Sequence, residues 1–207
     1  MVVGIDVCHD ADRKNPSVAG IVGSTNDRFS LWYSRTVIQS RGQELIDGLL
    51  LAFVDLLKAY HQRNHAWPEA IIIFRDGVNE QQFEALEEHE VKPLYEFYKK
   101  TTNGNEKFGF VIVQKKVHTR VMLKIGDHVE NPPSGTVVDE SITNKGRKNF
   151  YLISQKASHG TVTPTRYVSF LFFSFHIMYE QQNGMEFNMA SRILLGKTSF
   201  GSKSSVC

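Results

Sequence analysis

Ile71-Ile72-Ile73-Phe74-Arg75-Asp76-Gly77-Val78 is the stretch on which the reading of this chain turns. A continuous apolar run is the mark of a strand covered on both faces, so residues 71–74 read as a central strand of a helix-flanked sheet. The run ends in a charge, Asp76, and the carboxyl ends of strands in open α/β sheets are where ligands and chemistry gather. Met1-Val2-Val3-Gly4-Ile5-Asp6-Val7 has the same character, an apolar strand with one acid in it. An ionised carboxylate held alone in apolar surroundings costs on the order of several kcal/mol unless a partner or metal compensates it. Two acids so placed invite one explanation.

Outward from this stretch, residues 9–16 are a polar loop, 17–24 a second strand, Asn26-Asp27 a turn and 29–39 a third strand, connections short enough for an antiparallel meander. Leu45, Leu49, Ala52, Phe53, Leu56, Leu57 and Tyr60 recur at helical spacing, which predicts an amphipathic helix over 44–60. On the other side, Asn79 with Gln82 three residues on has capping-box spacing. Phe83, Leu86, Val91, Leu94 and Phe97 continue that helix to about Lys100, with a kink expected at Pro93. Residues 108–114 read as another buried strand, 131–139 as a turn entering a short strand, 150–154 as a strand and 160–167 as an extended loop. From Val168 the text becomes dense in phenylalanine and then loses any clear period, so a domain over 1–167 is followed by a divergent tail over 168–207.

The order strand, strand, strand, helix, strand, helix, strand is that of ribonuclease H-like domains: an α/β fold with a mixed sheet, a three-strand meander followed by alternating helices and strands, and helices on both faces. In that arrangement the first strand and the one after the first helix lie side by side, bringing Asp6 and Asp76 together.

A chain of 207 residues suits one α/β domain with a proper core. Lys+Arg 24 against Asp+Glu 22 leaves a net charge of only +2, so a polyanion partner would have to be met by a local basic patch. Two cysteines, Cys8 and Cys207, make no disulfide framework, which favours a reducing cytosolic or nuclear setting. No charged segment followed by an apolar core opens the chain, and no apolar run reaches the roughly 18 residues of a membrane span. The first residue already lies inside a strand, so a piece of a longer protein is expected.

Val3-Gly4-Ile5-Asp6-Val7, Trp32-Tyr33-Ser34-Arg35, Arg41-Gly42-Gln43-Glu44-Leu45, Arg75-Asp76-Gly77-Val78, Gln114-Lys115-Lys116, Pro133 with Gly135-Thr136-Val137-Val138-Asp139, Phe150-Tyr151-Leu152-Ile153-Ser154 and Gly160-Thr161-Val162-Thr163-Pro164-Thr165 together resemble the Piwi domain of Argonaute proteins in its PIWI-clade form, over about residues 1–167. The resemblance implies a fold that holds a guide small RNA of the piRNA type against a complementary target RNA and, in cleaving members, cuts the target with two divalent ions. It places the catalytic acids on Asp6 and Asp76 and the family's glutamate finger on Glu44. A fourth group, a histidine in a closing segment, has no counterpart here. The resemblance further implies gene silencing in the cytoplasm, in germ granules or the nucleus, and partner proteins carrying tryptophan-containing peptides.

Magnesium, or manganese in its place, takes hard oxygen ligands and keeps several waters, so two or three carboxylates plus phosphate oxygens suit it. Two such ions about 4 Å apart activate an attacking water and stabilise the leaving oxygen. On the resemblance, Asp6 bridges both ions, Asp76 holds one and Glu44 completes the shell when its loop swings in. Taken alone, Asp76 reads as an Asp-Gly turn and Glu44 as a first-turn acid favoured by the helix dipole. Lys115, Lys116, His118 and Arg120 form a basic cluster after a strand end, suited to phosphate contacts that fix register without reading sequence, and Arg166 is a further RNA-binding candidate. His61 and His65 have the spacing of a metal pair but no third ligand, so they read as a solvated helix end. His176 reads as a core residue, and Lys145, Arg147 and Lys148 as surface. A cleavage-inactive RNA-binding domain and a protein-interaction module are the competing readings.

Overall fold

The computed structural model describes residues 1–12, 14–102, 107–139, 148–157 and 159–172. His176, Lys145, Arg147 and the tail beyond residue 172 lie outside the described residues. The chain divides into two compact units, one built mainly from residues 1–113 with 169–173, the other mainly from 114–168.

The first unit is a mixed sheet. Its strands are β1 (Val2–Cys8), β2 (Ser17–Ser24), β3 (Trp32–Gln39), β4 (Ala70–Asp76) and β5 (Lys107–Gln114), in the spatial order β3-β2-β1-β4-β5. β1 to β3 form the expected antiparallel meander, whereas β1, β4 and β5 run parallel. The α/β, ribonuclease H-like arrangement expected from the order of elements is therefore present. β5 is buried along nearly its whole length, while β4 alternates, with Ile71, Ile73 and Arg75 buried and Ile72 and Phe74 half-buried.

Helix α1 (Leu49–Asn64) lays Leu49, Ala52, Phe53, Leu56 and Leu57 into the core. Gly23 on β2 permits that approach, because a Cβ there would stand 2.6 Å from Leu56 Cδ2. Arg35 of β3 reaches Asp55 of α1 at 2.7 Å, an exposed pair of small energetic weight. Helix α2 (Phe83–Leu86) passes through a π-helical turn (Glu87–Val91) into α3 (Lys92–Thr101). Pro93 sits at the start of α3, and the break expected there takes the form of the π-helical turn just before it. The capping box expected of Asn79 and Gln82 forms, with the Asn79 N–H donating to Gln82 Oε1 at 3.3 Å. Tyr98 donates its hydroxyl to the Pro68 carbonyl at 2.5 Å, tying α3 to the connection before β4. Tyr98→Phe leaves that carbonyl unsatisfied in a buried place and is expected to lower unfolding free energy by about 1–2 kcal/mol in urea titrations.

Three boundaries differ from expectation. The third strand begins at Trp32 rather than near residue 29, because Asn26 Oδ1 accepts from the N–H groups of Ser30 and Leu31 and Phe29 adopts φ 53°. Helix α1 begins at Leu49, five residues after Glu44, because the Glu44 carbonyl and the Ile46 N–H are both bound by side chains from elsewhere in the unit. Glu44 is thus a loop residue and not a first-turn acid. Third, residues 165–167 belong to a strand rather than to an extended loop, since they pair with residues 150–152.

The second unit holds the hairpin β6 (Leu123–Ile125) and β7 (His128–Glu130), and the antiparallel set β8 (Val137–Val138), β9 (Asn149–Leu152) and β10 (Thr165–Phe172). Gly126 at φ 59° makes the two-residue hairpin turn, which the sequence reading did not anticipate. Phe150 and Tyr167 stack across β9 and β10 at 5.0 Å. The last residues of β10 are counted with the first unit, where Phe170 meets Phe83 edge-on at 5.3 Å. Among the described residues no helix is long and apolar enough to cross a membrane.

Candidate active site

β1 and β4 run parallel with Ile5 opposite Arg75, so one step further along the two strands Asp6 stands beside Asp76. Successive side chains alternate across a sheet. Ile5 and Arg75 therefore share the buried face, and the two acids share the other. Asp6 is exposed and Asp76 half-buried. Both lie at the carboxyl ends of parallel strands, the edge that open α/β sheets use for chemistry. Gly77 follows at φ 91°, a conformation that favours glycine, and lets the chain turn away directly after Asp76.

Glu44 is brought to the same strand end by a buried ion network. Arg75, with no exposed side-chain surface, donates from Nη1 to Glu44 Oε1 at 3.1 Å and to the Asp76 carbonyl at 2.6 Å. Its Nη2 donates to the Glu44 carbonyl at 2.6 Å, and its Nε to Glu90 Oε2 at 3.1 Å. Glu90, equally buried, accepts with Oε1 from the Ile46 N–H at 2.9 Å. Burial pushes the Glu90 carboxyl above the ordinary carboxylate range, opposed by the Arg75 guanidinium and the Ile46 N–H.

The other carboxylate oxygen of Glu44 lies 2.9 Å from His9 Nε2, and His9 Nδ1 lies 2.8 Å from Ser17 Oγ, which also accepts from the Gly42 N–H at 3.0 Å. One proton arrangement satisfies this set with a neutral imidazole: the Ser17 hydroxyl donates to Nδ1, and Nε2–H donates to Glu44. His9, Ser17, Arg75 and Glu90 were not among the expected site residues. Only Arg75 carried a signal, as a cation inside a buried apolar strand.

A divalent cation fits the donor set that this edge presents. Asp6, whose Oδ1 accepts from the Val7 N–H at 2.9 Å, and Asp76 are hard oxygen donors of the kind that magnesium takes alongside waters and phosphate oxygens. Among the described residues no three His, Cys, Asp or Glu side chains converge as a metal cluster, and Glu44 spends both of its oxygens on Arg75 and His9. His61 stacks on Trp67 at 4.3 Å and His65 closes α1 at φ 54°, so this pair forms a helix end.

The basic residues lie in the second unit. Lys115, Lys116, His118 and Arg120 are all exposed on an irregular segment that follows β5 in the chain, and Arg120 Nη1 braces it by donating to the carbonyls of Val117 and Thr119. Arg166 on β10 is half-buried, with Nη1 3.2 Å from Gln114 Oε1 and its guanidinium 6.0 Å from the Tyr151 ring centre.

The family model described as the Piwi domain matches residues 1–171. This chain belongs to the Piwi domain family. Among relatives of this Piwi domain, the Piwi-like protein Ago3 of Bombyx mori is 43% identical over 169 residues, covering 81% of this chain and 18% of that protein. Among solved structures, the C-terminal lobe of a budding yeast Argonaute superposes with a TM-score of 0.73 at 28% identity, covering 84% of this chain and 38% of that one. Kluyveromyces polysporus Argonaute with a guide RNA gives a TM-score of 0.71 at 28% identity, covering 84% and 22%. The Piwi domain described here spans about a fifth of the length of the curated relatives it matches.

Proposed function

We propose that this Piwi domain holds a small guide RNA, of the piRNA type, paired to a target RNA, and that Asp6 and Asp76 support divalent-metal-dependent hydrolysis of the target phosphodiester. The observation that carries this reading is the parallel register that sets the two acids side by side. Bound magnesium or manganese supplies an activated water and charge stabilisation at the leaving oxygen. Asp6 and Asp76 provide the anionic oxygens that hold it, while Arg75 and His9 keep the Glu44 carboxylate beside the strand end. The likeness to an Argonaute solved with a guide RNA supports the choice of ligand.

Lys115, Lys116, His118 and Arg120 then contact phosphates, and Arg166 is the further candidate for the guide. Each such contact that is lost reduces the dependence of log K on log [salt] by about 0.7–0.9. The pair Lys115→Ala and Lys116→Ala is therefore expected to weaken RNA binding evenly across sequences and to flatten that slope by about 1.4–1.8. An unchanged slope removes the cluster from the interface.

The decisive experiment incubates the chain with a guide-paired RNA. The proposal expects magnesium-dependent products with 5′-phosphate and 3′-hydroxyl ends, abolished by Asp76→Ala. RNA binding without cleavage supports the second reading, a cleavage-inactive guide and target binder. Binding of tryptophan-containing peptides with no affinity for RNA rejects both.

A further inference from the structure

We propose that Glu90 is a positioning residue that holds Glu44 at the strand end. This rests on the function proposed above, together with the part in the metal shell that the family resemblance implies for Glu44. Glu90 is fully buried on the π-helical turn, and its two oxygens address two separate segments. Oε1 takes the N–H of Ile46, two residues after Glu44, and Oε2 takes Arg75 Nε, one residue before Asp76.

A guanidinium is planar, so fixing Nε on Glu90 fixes where both Nη groups aim. They aim at the Glu44 carbonyl, the Glu44 carboxylate and the Asp76 carbonyl. One carboxylate thereby sets the backbone and the side chain of Glu44 together, and this is why residues 44–48 stay out of helix α1. The π-helical turn contributes its own part: one extra residue in a turn rotates the following face by about 100°, and such turns recur at functional sites.

Glu90→Gln tests this at constant volume. Glutamine has one acceptor oxygen and two N–H donors, so either the Ile46 N–H or the Arg75 Nε–H must face another donor. In hydrogen exchange of the 207-residue chain, residues 40–48 are expected to exchange at least about tenfold faster, with β1 and β4 unchanged. Arg75→Lys keeps a charge against Glu90 but loses the fork to Glu44, and the same local acceleration is expected from it. In Mn2+ titrations followed by electron paramagnetic resonance, Glu90→Gln is expected to weaken binding as much as Glu44→Gln, with no further loss in the double variant.

Unchanged exchange in residues 40–48, equal acceleration in β1 and β4, or additive losses of Mn2+ binding each overturn the assignment. Failure of the unsubstituted chain to take Mn2+ overturns instead the function on which the assignment rests, and the exchange result still decides the role of Glu90.

Discussion

Asp76→Asn is expected to lower magnesium-dependent target cleavage by more than the roughly 10²–10³-fold that losing one preorganised electrostatic contact costs an enzyme. The reason lies in the register of β1 and β4, which leaves Asp6 and Asp76 as a like-charged pair on one face of neighbouring strands. On the proposed function the two carboxylates share a divalent cation, and one alone would leave it mostly to water. The same substitution has a readout that needs no RNA. A cation bound at 100 times its dissociation constant stabilises the folded chain by about 2.7 kcal/mol. Thermal melts with and without Mn2+ are expected to show that gain in the unsubstituted chain and to lose it with Asp76→Asn. A cation effect that survives the substitution moves the metal site elsewhere.

Arg75→Met carries the second large effect, a loss of about 3–5 kcal/mol in unfolding free energy, because it strands Glu90 as an uncompensated buried charge. The pH dependence of that loss has a definite sign. Burial already holds the Glu90 carboxyl above its ordinary range, with Arg75 opposing. Removing the guanidinium raises it further, so the folded state binds a proton that the unfolded state releases. Stability then falls as pH rises from the unfolded towards the folded value, and the deficit of Arg75→Met shrinks on acidification through that same window. Denaturant titrations at several pH values check this, and a deficit independent of pH contradicts it. Replacing both members of the pair, as in Arg75→Met with Glu90→Leu, is expected to recover stability relative to Arg75→Met alone, since the fully buried Glu90 charge is gone.

Arg75 also shows how far the sequence could be read. An arginine in phase with Ile71 and Ile73 on a buried strand must find acids, so the presence of a buried partner is legible without coordinates. Which acid it finds is not. Glu90 is one of three glutamates on the π-helical turn Glu87–Val91, and the one that is buried and paired with Arg75. Glu44 reads by spacing as the opening of a helix, yet the demand of Arg75 and Glu90 for its backbone overrides that local preference. His9 and Ser17 carry no distinguishing pattern, because their partners stand 35 and 25 residues away in the chain.

What the sequence by itself determined was the kind and order of the elements of the first unit, and with them the neighbouring strands that carry Asp6 and Asp76, because burial imposes its period on local residue choice; the hairpin of β6 and β7 and the strand over 165–167 escaped it. The register that sets Ile5 opposite Arg75, the capture of Glu44 by Arg75 and His9, and the hub made by Arg75 and Glu90 were decided only by tertiary structure. Strand register and buried ion pairing arise from contacts between segments distant in the chain, and no local pattern encodes which distant partner meets a given charge.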